Sequence, residues 1–408
     1  MSKCLKIAVV TGTFPSVSEI FIVNQIRFLI NSGHKVRVYC FNLDAAIASK
    51  TVADLMPSVK VLHWDRLMPR SKGQRFLRMI SILFHIKRFK VFLALVKSFN
   101  VFHYGPSALT GVQFFKTYYQ HYFAIHDYDV VHVHFANYAA QLVPLLKRFN
   151  GKTLVTFHGF DAHKFSRSFY SPLQTLTSIV YSVNTQYAKQ KVMELGFPSS
   201  RITVLPVGLD TSFFKPSIKS KTSNVFRVLF VGRFIPLKAP LLAIQIIEVL
   251  IARSQQAIQF QLVGDGEAYA DCEAYIHEHQ LSDAIHLLGS QGQEEVKLLM
   301  DASDVFLFPG IVDATGRCET QGLVIQEAQA MGLPVVISDV GGMKEGVLDG
   351  KTGFVVNAED LEAFVERVEF LIQHPNECQK MGLAGRQFVI GHYDSKVLGE
   401  QLLKLYRL

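Results

Sequence analysis

Short apolar runs alternate along this chain with longer segments in which apolar residues recur at helical spacing. The first unit is a strand over residues 6–10, a turn over 12–18, a helix that ends at 31–33, and a strand over 35–41. Further short strands are predicted at 130–135, 153–157, 179–183 and 202–205. Because strands and helices alternate, the pattern favours parallel sheets.

A change in composition after residue 205 separates these strands and helices from a second group of elements. Residues 206–224 contain Pro206 and Pro216 with Lys, Ser and Thr between them, which predicts an exposed linker. Strands are then predicted near Val228, Gln259, Ile285, Val305, Val335 and Phe354. Residues 395–407 have the spacing of an amphipathic helix. We therefore predict an α/β protein with one Rossmann-like domain at 1–212, a second at 225–390, and a helical segment at 391–408.

Composition agrees with this organisation and favours a cytoplasmic protein. The 408 residues suffice for two or three domains, and 49% of them are hydrophobic while 19% are charged. The five cysteines are odd in number and include no CxxC, so a disulfide or zinc framework is disfavoured. The N-terminus lacks the pattern of a signal peptide, and no uninterrupted apolar stretch reaches about 18 residues.

Two carboxylates stand out in the run CETQGLVIQEAQAMGLPVVIS, where Glu319 and Glu327 lie eight positions apart. The run predicts a helix over 321–331 that leads to a buried strand over 335–338. Amides at a helix start attract phosphate, and here they belong to Gly322, Leu323 and Val324. Glu327 could reach a ribose or sugar diol if the helix borders a cleft. The alternative is two solvated glutamates on an amphipathic helix.

A second signal is the segment VLFVGRFIPLKAPLLAI. It predicts a strand over 228–231, a turn that contains Gly232, and a helix from about Pro240, with Arg233 and Lys238 between them. Arg offers a planar fork for phosphate oxygens and Lys a mobile point charge, as a departing diphosphate requires. The alternative is two surface cations near a helix start.

These motifs, in this order, resemble those of the retaining glycosyltransferases of family 4. They are GRFIPLK, VGDGE at 263–267, and two glutamates separated by seven residues; TGTFPSVSEIFIVNQI and TFHGFD add to the likeness. The resemblance is to the branch that builds bacterial exopolysaccharide (including colanic acid), capsule and lipopolysaccharide. It covers nearly the whole chain, is strongest over 226–356 and weakest over 44–127. It implies the GT-B fold, two Rossmann-like domains facing each other across a cleft, with 391–408 returning to the first, acceptor-side domain.

The resemblance also implies roles for single residues. His158 would meet the donor sugar, with its backbone carbonyl near the anomeric carbon. Arg233 and Lys238 would stabilise the leaving diphosphate, while Glu319 would hold sugar hydroxyls and Glu327 the donor ribose. No residue stands out as a covalent nucleophile, so attack from the same face, with the leaving phosphate taking the acceptor proton, is preferred.

Several of these residues follow predicted strands, and ligands of open α/β sheets bind outside the carboxyl ends of strands. They are Gly12, His158, Arg233, Gly264 and Glu319. In two facing domains they would line one cleft, with Gly12 and Gly264 contacting the donor. Backbone groups near Gly289 to Gln291 are expected to contact the base. The turn at Gly264 lacks the GxGxxG arrangement, which disfavours a nicotinamide dehydrogenase.

Four histidines raise the question of a metal site: His132, His134, His158 and His163. His132 and His134 point to the same face of one strand, but no DxD carboxylate motif accompanies them. We therefore expect a metal-free site that needs no cofactor, with a UDP- or GDP-sugar as the donor substrate.

The region least like the family is strongly basic. Between Asp65 and Asp127 there is no acidic residue. The basic residues there are Arg66, Arg70, Lys72, Arg75, Arg78, Lys87, Arg88, Lys90, Lys97 and Lys116. If 75–97 is one helix, Arg75, Arg78, Lys90 and Lys97 fall within about a third of the wheel. Arg88 falls on the other side, which would suggest a break.

This basic stretch predicts peripheral contact with an anionic membrane on its cytoplasmic face, because family acceptors are often polyprenyl-linked sugars. The alternative is a solvated basic face. A nucleic-acid partner is disfavoured because no binding module appears.

The sequence thus predicts an enzyme, a hexosyltransferase acting on a lipid-linked or polysaccharide acceptor. A UDP-sugar epimerase on the same fold, and an inert nucleotide-sugar-binding partner of another transferase, remain alternatives. The base, sugar, acceptor and linkage are left open.

Overall fold

The computed structural model describes residues 3–16, 19–44, 60–63, 68–69, 71–86, 89–115, 117–118, 128–217 and 224–407. Its strands are β1 Lys6–Phe14, β2 Lys35–Leu43, β3 Lys60–His63, β4 Val130–His134, β5 Lys152–Thr156, β6 Ile179–Val183, β7 Ile202–Val204, β8 Phe226–Val231, β9 Ile258–Val263, β10 Ile285–Leu287, β11 Val305–Phe308, β12 Val335–Ser338 and β13 Gly353–Val356. Helices of the first half are α1 Ile20–Asn31, α2 Lys72–His85, α3 Phe89–Lys97, α4 Val101–Tyr104, α5 Ala136–Gln141, α6 Val143–Leu146, α7 Phe160–Lys164, α8 Arg167–Gln174 and α9 Gln186–Glu194. Those of the second half are α10 Pro240–Arg253, α11 Tyr269–Glu278, α12 Gln293–Ala302, α13 Leu323–Ala330, α14 Leu361–Gln373, α15 Pro375–His392 and α16 Ser395–Arg407.

The first sheet has seven strands in the order β3-β2-β1-β4-β5-β6-β7. β1 pairs in parallel with β2 and with β4, and the parallel pairing continues through β5 to β6. The order changes direction between β1 and β4, which makes this edge the topological switch point. The strands predicted from the sequence are confirmed, whereas β3 was not predicted.

β1 is longer than its apolar run predicts. Its register with β2 continues past Val10, with Thr11 opposite Cys40 and Phe14 opposite Leu43. The turn predicted to start at Gly12 is therefore wrong, since Gly12 lies inside the strand. A Cβ at Gly12 would lie 2.2 Å from Tyr138 Oη, so the missing side chain makes room for that hydroxyl.

The second sheet has six strands in the order β10-β9-β8-β11-β12-β13, and all five neighbouring pairs are parallel. Its switch point lies between β8 and β11. All six strands predicted for this half are confirmed. Apolar strand residues form the core beneath the helices; Phe230, Phe260 and Phe306 are fully buried.

The segment predicted as an exposed linker is partly packed. Leu209 and Phe214 are buried. The Leu209 amide donates to Tyr393 O at 3.0 Å, and the Ser395 amide donates to Leu209 O at 2.8 Å. The prediction of exposure is therefore wrong for these residues, because two apolar side chains and a backbone bridge fix them.

The chain forms two compact units. The first comprises Met1–Val183, Lys191–Thr203 and Leu402–Leu408, and the second comprises Asn184–Gln190 and Val204–Gln401. Residues 204–212 thus belong to the second unit, although the sequence analysis assigns them to the first domain. Among the described residues, no helix is both long and apolar enough to cross a membrane.

Candidate functional site

The turn that follows β8 carries the two predicted cations. A short 3-10 turn, Pro236–Lys238, precedes Ala239, whose φ of 51° places it in the left-handed region before α10. Phe234 is fully buried beneath the turn, while Arg233 is exposed. The Lys238 side chain is 14% exposed. The buried phenylalanine therefore anchors a loop that presents Arg233 and Lys238 differently, one to solvent and one to the protein.

The neighbouring turn after β9 packs tightly against it. A Cβ at Gly264, where φ is +148°, would lie 1.8 Å from Gly232 O. The Phe234 amide donates to Asp265 O at 2.9 Å. Close approach of two backbones explains Gly264 by itself. The predicted donor contact of Gly264 remains a prediction.

The segment before α13 fixes Glu319. Its carbonyl accepts from the Gly342 amide at 3.1 Å, and a Cβ at Gly341 would lie 2.1 Å from that carbonyl oxygen. The carbonyl of Thr320 accepts from Thr185 Oγ1 at 2.9 Å. Glu319 thus stands on a backbone held from two sides.

Helix α13 starts at Gly322, which has a φ of +72°. The helix predicted over 321–331 is confirmed within two residues at its start and one at its end. An ideal Cβ at Gly322 would lie 3.3 Å from Glu319 Cγ, so the Glu319 side chain passes over the start of the helix. The predicted amides, those of Gly322, Leu323 and Val324, lie there. First-turn amides have no intrahelical acceptor and are available to an anion.

Lys238 and Glu319, 81 residues apart in the sequence, come together in the structure. Lys238 Nζ donates to Glu319 Oε2, and it lies 5.0 Å from the centre of the Phe308 ring. Burial, with Arg233 as the second cause, lowers the pKa of Lys238 to about 7. The Glu319 carboxylate acts in the opposite direction because it favours the ammonium. The charge of Lys238 therefore depends on this partner.

Glu327 lies in the second turn of α13 and is partly buried. Burial raises its pKa to about 7. Gln291, at the predicted base contact, is exposed, and its Nε2 donates to Leu288 O at 2.7 Å. Gly289 beside it has a φ of +66°.

The loop between β11 and α13 contains a carboxylate that the sequence analysis missed. Asp313 is buried and accepts from the Thr315 hydroxyl at 2.6 Å and from Arg317 Nη2 at 2.9 Å. These hydrogen bonds, the Thr315 hydroxyl first, lower the pKa of Asp313. The order Asp-x-Thr, typical of a side chain that caps its own turn, was the signal that could have found it. Asp313 shapes the loop that leads toward Glu319.

In the first unit, His158 follows β5 and is held by neighbours after β4. Its Nε2 lies 3.1 Å from His134 Nδ1, and the centre of its ring is 4.6 Å from that of Phe135. The amides of His158 and Ala136 donate to the two oxygens of buried Asp161, at 2.8 and 2.7 Å. Burial lowers the pKa of His158 to about 3, so the ring is neutral at pH 7.

The other histidines do not complete a metal site. His132 uses both ring nitrogens, with Tyr406 Oη at 2.8 Å and Thr156 Oγ1 at 2.7 Å. The rings of His132 and His134 lie on one face, with centres 4.1 Å apart, as expected. His163 lies on α7. In the part of the chain that the structure describes, no group of three or more His, Cys, Asp or Glu side chains is arranged to hold a metal ion.

Residues 75–97 of the basic segment span two helices, α2 and α3, rather than one. α2 ends at His85, and Ile86 is extended, with a φ of −81° and a ψ of 114°. A single wheel for 75–97 therefore does not apply, and the break that the position of Arg88 suggests is confirmed. Arg75 is held inside the segment, because its Nε donates to Pro69 O at 2.6 Å. Arg66, Arg70, Lys87, Arg88 and Lys116 lie outside the described residues.

Each of the two helices exposes an apolar stripe. On α2 the exposed apolar side chains are Phe76, Leu77, Ile80 and Phe84. On α3 they are Phe89, Phe92, Leu93 and Val96. At about 100° per residue, Arg78 lies on the far side of α2 from its stripe, whereas Lys90 and Lys97 lie along one edge of the α3 stripe. Both lysines are exposed.

Relatives of this chain are known. It is 24% identical over 407 residues to the amylovoran biosynthesis glycosyltransferase AmsK of Erwinia amylovora, covering 98% of this chain and 99% of that protein. It is 28% identical over 296 residues to a GDP-mannose-dependent alpha-(1-6)-phosphatidylinositol monomannoside mannosyltransferase of Mycolicibacterium smegmatis, covering 69% and 76%. The structure of Anabaena HepE in complex with UDP and glucose superposes with a TM-score of 0.70 at 17% identity, covering 98% of each chain.

Two family models match the chain in succession. Residues 18–213 match the model described as Glycosyltransferase Family 4. Residues 212–388 match the model described as Glycosyl transferases group 1. Together they span nearly the whole chain, and the chain therefore belongs to glycosyltransferase family 4, enzymes with the GT-B fold of two Rossmann-like domains.

Proposed function

We propose that this glycosyltransferase moves a hexose from a UDP- or GDP-sugar to a polyprenyl-linked or polysaccharide acceptor in surface glycan synthesis, with retention at the anomeric carbon. The observation that supports it best is the contact of Lys238 with Glu319 over the start of α13. A cation, a carboxylate and free helix amides in one place match a donor that combines a diphosphate with a sugar.

In the proposed mechanism the diphosphate leaves as negative charge grows on its oxygens. Lys238, Arg233 and the first-turn amides of α13 stabilise this charge. Binding of the diphosphate would draw Lys238 from Glu319, whose oxygens then accept hydrogen bonds from sugar hydroxyls. Glu327 holds the ribose, and the leaving phosphate takes the proton of the acceptor hydroxyl. The role of His158 at the donor sugar stays a prediction.

The relatives support the proposed nature of the donor and the acceptor. The mannosyltransferase uses GDP-mannose, the solved HepE structure holds UDP and glucose, and AmsK acts in amylovoran biosynthesis. We extend to this chain a nucleotide-diphosphate donor and an acceptor in surface glycan assembly. No metal or other cofactor enters the proposed reaction, because Lys238, Arg233 and the amides supply the positive charge.

A thermal-shift screen with UDP, GDP and ADP tests the donor site. The nucleotide that fits should raise the melting temperature by mass action, and its sugar conjugate should then be turned over. NMR of the product should show the anomeric configuration of the donor retained. Binding without transfer would favour an inert partner, and an epimer formed without acceptor would favour an epimerase; either result would overturn the proposed transfer.

The proposal includes peripheral binding to an anionic membrane. Phe84 is 85% exposed and Phe89 is 72% exposed, so the apolar stripes of α2 and α3 lie open. No acidic residue lies between Asp65 and Asp127 to repel anionic lipid. Apolar side chains with lysines at their edge are typical of a helix that lies in a lipid interface.

Sedimentation with vesicles of phosphatidylcholine and phosphatidylglycerol tests this surface. Lys90→Gln with Lys97→Gln should weaken binding by roughly thirtyfold, since each basic residue near the surface contributes about 1 kcal/mol. Phe89→Ser with Phe92→Ser should weaken it further. Lys351→Gln with Lys380→Gln removes two exposed charges of the second unit and serves as the control. If the Lys90 and Lys97 variant sediments as the wild type does, the membrane proposal fails.

A further inference from the structure

Buried polar atoms without a hydrogen-bond partner gather at one edge of the first sheet. In the described part of the chain they are Thr11 Oγ1, Glu19 Oε2, His134 Nε2, Asn137 Oδ1 and His158 Nδ1. They belong to β1, to the last residue of β4, or to the segments that follow β1, β4 and β5, which are neighbouring strands at the switch point. Native proteins pair nearly all buried polar atoms, so a cluster of unpaired ones at a ligand-binding edge indicates that a ligand completes it.

Glu19 is the charged member of this cluster. It occupies the N-cap position of α1 without a side-chain capping hydrogen bond, and it lies close enough to Tyr138 that the carboxylate raises the pKa of that phenol, after burial. Two residues on, the Phe21 ring lies 5.0 Å from the His158 ring, so the start of α1 and His158 face the same place. Burial raises the pKa of Glu19 to about 7. No described side chain forms an ion pair with Glu19.

The two histidines restrict the ligand further. Burial lowers the pKa of both, so both rings are neutral, and one must donate to the other across the 3.1 Å between His134 Nδ1 and His158 Nε2. Whichever ring donates, the two free nitrogens are then one donor and one acceptor. A hydroxyl group satisfies either nitrogen.

Asn137 Oδ1 and the carboxylate of Glu19 add a second requirement on the ligand, because both are acceptors that need a hydrogen-bond donor. A bare anion fails, since it would meet the Glu19 carboxylate. A polyol supplies donors and acceptors together, and Phe21, Phe135 and Tyr138 provide the apolar walls common in small-ligand sites.

We propose that Glu19 and Asn137 bind hydroxyl groups of the sugar acceptor, with Glu19 accepting a hydrogen bond from one of them. The proposal rests on the proposed glycosyl transfer, which requires an acceptor sugar. It assigns a function to Glu19, which directly precedes α1.

Saturation-transfer NMR of the full chain tests this site. The probes are the methyl glycosides of glucose, galactose, mannose and fucose, each with UDP or GDP present. At least one should bind the wild type, and Glu19→Gln should weaken it at least tenfold, with Asn137→Ala weakening it less. Nucleotide affinity should stay within twofold of the wild-type value, because the donor turns of the second unit are unchanged.

Glu194→Gln is the matched control, since Glu194 is the other glutamate within residues 1–203 and its side chain is 51% exposed. A structural role for Glu19 would make Glu19→Gln melt lower than the wild type. Our proposal expects an equal or higher melting temperature, because an unpaired buried carboxylate is removed. Glycoside binding that is absent from the wild type, or unchanged in Glu19→Gln, would overturn the inference. If UDP, GDP and ADP produce no thermal shift either, the proposed glycosyl transfer fails as well, and not only the acceptor site.

Discussion

The two switch-point edges of this enzyme treat polar groups in opposite ways. In the second unit two charged pairs are already formed: Lys238 contacts Glu319, and Asp313 contacts Arg317. In the first unit Glu19 Oε2 and the free nitrogens of two histidines are buried atoms without a hydrogen-bond partner. An edge with internal pairs is stable as it stands and exchanges partners when a ligand arrives. An edge with unpaired atoms is destabilised until a ligand supplies the missing hydrogen bonds.

The difference also explains how rigid each edge is. The second unit builds its site on backbones in close contact, as the approach of Gly341 to Glu319 O demonstrates. The first unit places unpaired atoms between aromatic rings, where Phe21 and Phe135 lie on the His158 side. Paired charges on a fixed backbone suit stabilisation of a leaving diphosphate. Unpaired groups among aromatic rings suit a ligand that brings its own donors and acceptors.

The largest effect that would test this comparison concerns the cations of the second unit. Arg233→Ala and Lys238→Ala should each lower turnover at least tenfold, because both are proposed to stabilise leaving-group charge. Steady-state kinetics with the donor identified by thermal shift measures this. Arg253→Ala, which removes an exposed arginine of α10, should retain wild-type turnover. Wild-type rates in either site variant would contradict the assignment.

The partner dependence of Lys238 sharpens the same comparison. Lys238→Ala leaves Glu319 partly buried without its cation, so the single variant should melt below the wild type. Combining it with Glu319→Gln should recover part of that loss, since no uncompensated charge remains. Thermal melts of the two single variants and the double variant form the cycle. Strict additivity would show that the pair contributes nothing to stability.

Much of the second unit could be predicted from the sequence because its information is local. The run from Val228 to Lys238 and the pair Glu319 and Glu327 each combine a strand, a turn and a charge within a few residues. Their meeting in space follows from parallel strands, whose carboxyl ends share one edge. The glycine at 264 was harder to interpret, because a side chain there is excluded by the carbonyl oxygen of Gly232, on a different turn.

The features that the sequence left out depend on distant residues. Glu19 could not be distinguished from a surface glutamate, since its burial is produced by neighbours such as Tyr138, far along the chain. Leu209 appeared to be linker because its backbone partner is Tyr393. Spacing does not encode such contacts. The four-residue strand β3 was also missed.

A matched pair of glycines tests whether close backbone contact holds the proposed donor site in shape. Gly341 and Gly350 have φ values of +62° and +68°, but only at Gly341 would a Cβ meet other atoms, 2.1 Å from Glu319 O. Gly350→Ala should cost about 1 kcal/mol of stability from left-handed backbone alone. Gly341→Ala should cost roughly 2 kcal/mol more and weaken nucleotide binding, since Glu319 must move. Urea unfolding and nucleotide titration measure both effects, and equal losses in the two variants would contradict the proposed packing.

A smaller effect is expected from the buried carboxylate of α13. Burial raises the pKa of Glu327 from 4.5 to about 7, so the folded state binds more protons than the unfolded state between these values. This contribution to stability is complete below about pH 4.5 and is lost as the pH rises through 7. Glu327→Gln removes the titration, so its melting temperature relative to the wild type should rise by a few degrees from pH 5 to pH 8. A constant difference across that range would show that Glu327 is not held in a buried environment.

The smallest expected effect is that of a chelator. The proposed reaction draws its positive charge from Lys238, Arg233 and helix amides. His132 has both ring nitrogens hydrogen-bonded, to Tyr406 and Thr156, and His134 and His158 use one nitrogen each to bond one another. Transfer measured after EDTA treatment should therefore stay within twofold of the untreated rate, and added Mg²⁺ or Mn²⁺ should not raise it.

The Lys238→Ala variant makes the chelation test sharper. If Lys238 supplies the positive charge that a metal ion supplies in other enzymes, Mg²⁺ should restore part of the lost turnover to this variant while leaving the wild type unchanged. Loss of wild-type activity on chelation, recovered by adding a metal ion, would show that the second unit does not supply sufficient positive charge by itself. The paired charges of the second unit would then be incomplete without a metal ion, and the contrast with the unpaired edge of the first unit would have to be revised.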